Sequence, residues 1–315
     1  MKIGVSACLL GSLCRYDGGH SKDDFIVNIL DKYFEFVPYC PETAIFGSPR
    51  ETIRLVQEES IKAYTSKTNK DITRELQDIS NESASMIKND NLCGFILKSK
   101  SPTCGLERVK VYEKDTPFNT KKGIGFFAKS IKEKYPNLPV EEEGRLNDPW
   151  LRENFLMQIF AYKSLYTFLQ TKPSLSKLVD FHTTYKYLIY AKSHTSYKSL
   201  GHIVANREKK ELEEILEQYK NAFEIAIAQK GSINNTYNVL LHIFGYFKKH
   251  ISKEEKKDIL ELIEDFKIKI VPLIAVIKVL SLYTNRLDIS YLKTQVFLNP
   301  YPKELALRSD MKAYK

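Results

Sequence analysis

Three cysteines, Cys8, Cys40 and Cys104, each follow a short apolar run with the character of a β-strand, over residues 3–6, 34–37 and 94–98. A parallel sheet would deliver all three thiols to one edge, and in open α/β sheets ligands bind in the crevice outside the carboxyl ends of the strands. Three thiolates at such an edge form a metal-ligand set. The competing reading is that free cysteine packs as a small buried hydrophobe. The surroundings favour ligation, because Cys40-Pro41-Glu42 and Ser101-Pro102-Thr103-Cys104-Gly105 are turn sequences, and such loops carry function more often than packing. Cys93, beside Gly94-Phe95-Ile96-Leu97, reads as core. Cys14 reads either as a fourth ligand or as a loop thiol.

Strands and helices alternate up to about residue 145, which argues for an α/β domain with a mainly parallel sheet. The spacing of Ile72, Leu76, Ile79, Met86 and Ile87 predicts a helix over 71–88 that feeds the strand at Phe95. Residues 52–56 and 61–64 predict a hairpin, 123–134 a helix and 138–142 a last strand. The stretch 139–149, with three consecutive glutamates and Gly144, reads as the interdomain connection. Beyond it every long segment has helical period. Leu212, Ile215, Leu216, Tyr219 and Phe223 form one apolar stripe, and Ile259, Ile263, Phe266 and Ile270 form another. Ser252 with Glu255 predicts a capping box at the start of the second, and Pro272 restarts a final apolar helix. The expected architecture is a thiol-bearing α/β domain over 1–143 followed by an all-α domain over 144–315.

A chain of 315 residues exceeds the usual single-domain size. Met1-Lys2 leads straight into a strand, without a secretory signal, and no apolar stretch is long enough to span a bilayer; the run 271–282 is short and carries Lys278. These features predict a soluble, cytoplasmic protein, and five cysteines in a reducing compartment favour metal or redox chemistry over disulfides. The net charge of +9 is unevenly placed: the charges of residues 1–150 cancel, so residues 151–315 carry the whole surplus. That asymmetry predicts a polyanionic partner for the second half, against the alternative of a lysine-rich solvated surface. Lys192, Lys198, Arg207, Lys248 and Lys249 are the expected phosphate contacts. His182 with Lys186, and Asn238 with His242, lie four apart and read as packed or hydrogen-bonded structural groups.

The run from Lys2 through Cys8-Leu9-Leu10-Gly11 to Arg15-Tyr16-Asp17-Gly18-Gly19-His20, with Cys40-Pro41-Glu42, Pro49-Arg50-Glu51-Thr52 and Ser101 to Gly105, resembles the DUF523 or thiouracil desulfidase family over residues 1 to about 142. The second half resembles the DUF1722 (YbgA-like) domain, in Phe181-His182, Lys186-Tyr187-Leu188, Asn238-Val239-Leu240 with His242, Gly245-Tyr246 and residues 295–302. The first resemblance implies a 4Fe-4S cluster held by Cys8, Cys40 and Cys104, with one iron left without a protein ligand. Thr103 stands where many relatives have Ser, and Cys14 lies outside the family's ligand positions. Fusions of the two domains resemble tRNA 4-thiouridine desulfidases, whose helical domain engages RNA. The implied partner is therefore tRNA or another thiolated nucleobase, with neither DNA nor membrane as partner; oligomeric state stays open.

The implied reaction converts C=S to C=O without redox change. A thiophilic iron draws on the exocyclic sulfur, water attacks the ring carbon and sulfur leaves as hydrosulfide, much as nucleobase deaminases place water at a ring carbon. Glu42 is the candidate proton shuttle; its alternative is a first-turn carboxylate stabilised by a helix dipole. Ser101 is the candidate to orient the base or the water. Asp17 either positions substrate or forms a turn, and Arg50 either meets a phosphate or pairs with a carboxylate. The rival functions are a desulfidase of free thiouracil and a noncatalytic iron–sulfur protein that binds RNA or senses redox state.

Overall fold

The alternation in the first half resolves into two sheets in the computed structural model, which describes residues 1–305. In chain order the elements are β1 (Lys2–Ser6), α1 (Asp24–Asn28), β2 (Glu35–Tyr39), α2 (Pro41–Phe46), β3 (Ile53–Gln57), β4 (Ile61–Thr65), α3 (Thr73–Asp90), β5 (Phe95–Leu97), β6 (Val109–Glu113), β7 (Asn119–Gly123), α4 (Phe126–Lys134) and β8 (Val140–Glu142). The first sheet has the order β2-β1-β5-β8 and is parallel throughout. Its central strands are apolar and buried, with Ile3, Val5, Phe95, Ile96 and Leu97 fully shielded, as a parallel sheet covered on both faces requires. β2 runs through Pro38 to Tyr39, two residues past the predicted end. It is an edge strand, where the missing amide of proline is tolerated.

The second sheet has the order β4-β3-β6-β7. β3 and β4 form the predicted antiparallel hairpin, while β6 pairs parallel to β3 and antiparallel to β7. Alternation gives this sheet one apolar face. Leu55, Ala63, Val109 and Val111 pack with Ile72, Leu76 and Phe126 from the helical layer, whereas Lys110 and Tyr112 point the other way. The β6–β7 pair was not anticipated, and it shortens the helix expected from residue 123: Gly123 closes β7, so α4 starts at Phe126.

The three glutamates of the stretch expected to connect the domains are buried. Glu141 and Glu142 belong to β8, and each carboxylate has partners that offset its desolvation. Glu142 accepts from the Leu106 and Glu107 amides at 2.8 and 3.3 Å, Glu143 from the Ser99 amide at 2.7 Å and from Lys98, and Glu141 from Arg145 at 2.6 Å.

The chain divides into two compact units, residues 1–155 and the residues from Leu156 onward. The division falls inside α5 (Pro149–Gln170), after which come α6 (Leu175–Lys192), α7 (His194–Ala205), α8 (Leu212–Ala228), α9 (Ile233–Phe247), α10 (Lys253–Lys267), α11 (Leu273–Arg286) and the short α12 (Ser290–Lys293). No strand occurs among the described residues of this unit. Tyr219, Phe223, Ile243, Phe247, Ile263 and Leu280 form its fully buried centre, each large apolar side chain contributing about 1.5–3 kcal/mol. Ser252 and Glu255 make the capping box of α10. The stripe predicted to reach Ile270 stops earlier. Lys269 takes a left-handed conformation, the Ile270 amide turns back to the Asp265 carbonyl, and Ile270 is exposed. No helix among the described residues is long and apolar enough to cross a membrane.

Candidate active site

Each of the three predicted ligand thiols sits in a turn that its own neighbours build. After β1, residues 7–10 form one 3-10 turn that carries Cys8 and ends at Gly11, whose φ of 98° suits glycine. Cys40 follows β2 directly and caps α2, where Pro41 takes the first helical position. Beyond β5, the Ser101 hydroxyl accepts from the amides of Thr103 and Cys104 at 3.1 and 3.0 Å, folding the loop around the third thiol. The same loop is held by α4, whose first amides would otherwise lack partners. Phe126 and Phe127 donate to the carbonyls of Pro102 and Thr103 at 3.1 and 2.9 Å. A side chain at Gly125 would place its Cβ 2.4 Å from the Thr103 carbonyl oxygen, so this close approach needs glycine.

Cys8, Cys40 and Cys104 line one cavity of about 370 Å³, together with Cys14, Glu42, Arg50 and Ser101. Cys93 is buried just ahead of β5 and takes no part in the cavity wall. Arg50 pairs with a carboxylate: Nη2 and Nε reach Glu42 Oε2 at 2.6 and 3.2 Å. Arg50 Nη1 also donates to the Cys14 carbonyl at 2.9 Å, as does the Thr43 hydroxyl at 3.0 Å. With Oε2 so held, Glu42 Oε1 faces the Ser101 hydroxyl at 3.4 Å. Both side chains of the pair are largely buried, at 7% and 15% exposed. Asp17 lies outside the cavity. Its exposed carboxylate accepts from the Gly19 amide at 3.1 Å and from Arg15 at 3.2 Å, which is the turn-forming role rather than the substrate-positioning one.

Burial pushes the Cys8 thiol up to about 11, with Cys40 adding to the shift while Lys98 and Arg15 oppose it. Burial likewise raises Cys14 to about 12, with a further contribution from its hydrogen-bonded neighbour Cys40. Cys104 is held well above the ordinary thiol range, again by burial first. Burial thus favours the protonated thiol at Cys8 and Cys104, and a cationic centre bound there would displace those protons. Among the described residues no three His, Cys, Asp or Glu side chains are arranged to hold a single metal ion. A cluster takes one thiolate per iron, so its ligands stand further apart than those of one ion. The donor set, soft sulfur on three separate turns around one cavity, fits such a group.

Sequence reasoning missed Tyr16, Lys98 and Lys100 in the cavity wall. Lys98 and Lys100 follow directly after β5 in the sequence, a signal that was available. In the helical unit Lys198, Arg207, Lys248 and Lys249 are exposed. Lys192 is a correction: it is 5% exposed, its ammonium donates to the Gln229 carbonyl at 2.9 Å, and burial lowers it to about 8. The last turn of α6 faces the core, so this lysine does not offer its charge to a phosphate. His182 is buried with Nδ1 3.2 Å from the Tyr219 hydroxyl, and burial lowers it to about 4. Lys186 lies over the Tyr187 and Tyr291 rings at 5.3 and 4.9 Å. An unanticipated aromatic row stands beside Lys198, with Tyr190 stacked on His194 and Tyr197 at 4.9 and 5.0 Å.

Residues 3–143 match the model of the 2-thiouracil desulfurase family, and residues 186–302 match that of the DUF1722 family, a protein family of unknown function. The chain is 26% identical over 157 residues to the uncharacterized protein YbgA of Escherichia coli (strain K12), covering 50% of this chain and 93% of YbgA. It is 29% identical over 153 residues to the uncharacterized protein YbbK of Bacillus subtilis (strain 168), covering 46% of this chain and 98% of YbbK. A solved structure of the 4Fe-4S-dependent thiouracil desulfidase TudS aligns with 47% of this chain and 93% of its own, at 24% identity and a TM-score of 0.39. The chain thus joins a domain of the 2-thiouracil desulfurase family, over residues 3–143, to a DUF1722 domain over residues 186–302.

Proposed function

We propose that this protein is a thionucleobase desulfidase that converts 4-thiouridine in tRNA to uridine and releases hydrosulfide. One observation carries the reading: three strand-end thiols share a cavity with a carboxylate oriented by Arg50. When bound by Cys8, Cys40 and Cys104, a 4Fe-4S cluster supplies a thiophilic Lewis acid at the thiocarbonyl sulfur.

The chain's own residues do the rest. Glu42 takes a proton from the attacking water as the new C–O bond forms. As the C–S bond breaks and the new hydroxyl becomes the carbonyl, the second water proton is also released; of the two protons one leaves on sulfur as hydrosulfide and the other passes to solvent, with Glu42 carrying one of them. Carbon, sulfur and the metal centre keep their oxidation states. Arg50 fixes Glu42 Oε2, which leaves Oε1 on the Ser101 side as the working oxygen. Ser101 holds the Cys104 loop through two amides and orients the base or the water on its remaining side.

RNA binding by the helical unit is supported by the exposed cations Lys198, Arg207, Lys248 and Lys249 and by the stacked row Tyr190, His194 and Tyr197, since aromatic faces beside cations suit bases beside phosphates. A second reading, turnover of free thiouracil, is favoured by the size of the cavity, which suits a single base. Anaerobic purification with iron and sulfide analysis, followed by parallel turnover of 4-thiouridine-containing tRNA and free 2-thiouracil, tests both. Cluster-loaded protein that desulfurates neither substrate overturns the proposal, and turnover of the free base alone selects the second reading.

A further inference from the structure

The second sheet borders a groove of about 1190 Å³ within the first unit, and this groove meets the thiol cavity along a common rim. Tyr16, Ser99, Lys100 and Pro102 line both. The groove is far larger than one base requires. Six basic side chains and two carboxylates line it. Arg54, Lys100, Lys110 and Lys121 face it and form no ion pair among the described residues. Arg54 donates to Asn69 through Nη2 at 2.7 Å, while its Nε is shielded from solvent and makes no hydrogen bond.

The carboxylates of the groove are already engaged. Glu107 pairs with Arg108 at 3.0 Å and with Arg145, and Glu142 accepts the two amides described above. Strand alternation explains the placement. Val109 and Val111 are spent on the core, so Lys110 between them stands on the opposite face. Lys100 and Arg108 both hold left-handed backbone, with φ of 62° and 56°, a conformation that costs a residue other than glycine roughly 1 kcal/mol or more. The chain keeps basic side chains at two strained positions of the same wall. At the shared rim Tyr16 is 43% exposed, with the Arg15 guanidinium over its ring at 5.2 Å.

We propose that this groove binds single-stranded RNA, with phosphates on Arg54, Lys100, Lys110 and Lys121 and a base stacked on Tyr16. The nucleotide entering the thiol cavity then arrives as part of a strand. This deepens the reading above and rests on it for the nature of the nucleotide, while the binding itself is measurable without turnover. The test uses the full-length protein and a short fluorescein-labelled oligouridylate, with anisotropy read at several salt concentrations.

Lys110→Glu with Lys121→Glu is expected to weaken binding by about tenfold or more. It should also flatten the slope of log K against log salt by about 1.4, two phosphates' worth for a single strand. Lys110→Arg with Lys121→Arg restores both quantities. Arg54→Gln, in a different strand, gives a second reading, and thermal melting of each variant reports folding. Unchanged affinity and slope in the glutamate variant, or no binding of oligouridylate by the parent protein, overturns the proposal. A parent protein that binds the strand through these lysines yet desulfurates no thionucleobase would leave the groove standing and remove the enzymatic reading instead.

Discussion

In the α/β unit, the residues chosen for their chemistry converge, with Asp17 alone left outside; in the helical unit, residues chosen for their charge disperse. Cys8, Cys40, Cys104, Glu42, Arg50 and Ser101 come from three separate stretches of chain and line one cavity. Lys198, Arg207, Lys248 and Lys249 are solvated, whereas Lys192 and His182 are packed inside. The difference follows from geometry. Parallel strands all end on one edge, so the loops that follow them are forced together. A helix turns its residues through every direction at 3.6 per turn, so sequence neighbours part between core and solvent.

The sharpest way to break this contrast is at the thiols. Replacing Cys8, Cys40 or Cys104 by Ala should abolish iron retention and desulfuration together, whereas Cys14→Ala should retain iron; iron and sulfide analysis of anaerobically purified variants decides. Turnover by an iron-free variant would dissociate the cavity from the chemistry. Next in size, Glu42→Ala should keep the iron and slow turnover by about 10²–10⁴-fold, the usual worth of a general acid–base group. Normal turnover in that variant would leave Glu42 as a partner of Arg50 and nothing more.

In the helical unit, the buried imidazole offers a pH test. His182 has a folded-state value lowered from 6.5 to about 4, so the stability it contributes is present above pH 6.5 and is lost as pH falls toward 4. The full loss is on the order of 3 kcal/mol. Denaturant unfolding of the helical unit across this window should show it, and His182→Asn should flatten that part of the profile. An equally acid-sensitive variant would move the effect to other groups.

A smaller effect is expected on its surface. Lys248→Glu with Lys249→Glu should weaken tRNA binding and reduce the salt slope by about two, as filter binding at graded salt would report. A slope equal to that of the parent would make these lysines plain solvated surface. At the buried end of the scale, Lys192→Met should leave tRNA affinity unchanged, since its ammonium is already spent on the Gln229 carbonyl.

The sequence by itself determined the local features: three thiols after apolar runs, the β3–β4 hairpin, the capping box at Ser252 and Glu255, and the helical period beyond residue 149. These rest on turn chemistry, side-chain alternation and helix periodicity, all of which act within a few residues. Only the tertiary structure decided which carboxylate Arg50 meets, that the glutamates at 141–143 are buried and hydrogen-bonded, and that Lys192 faces inward. It also decided that residues 55–57 pair in parallel with 111–113, joining β6 and β7 to the hairpin and setting Arg54, Lys110 and Lys121 around one groove. Summed over residues 1–150 the charges cancel, and that sum conceals the groove. Pairing across more than fifty residues is chosen by which faces can be buried together, and neither local periodicity nor net charge carries that information.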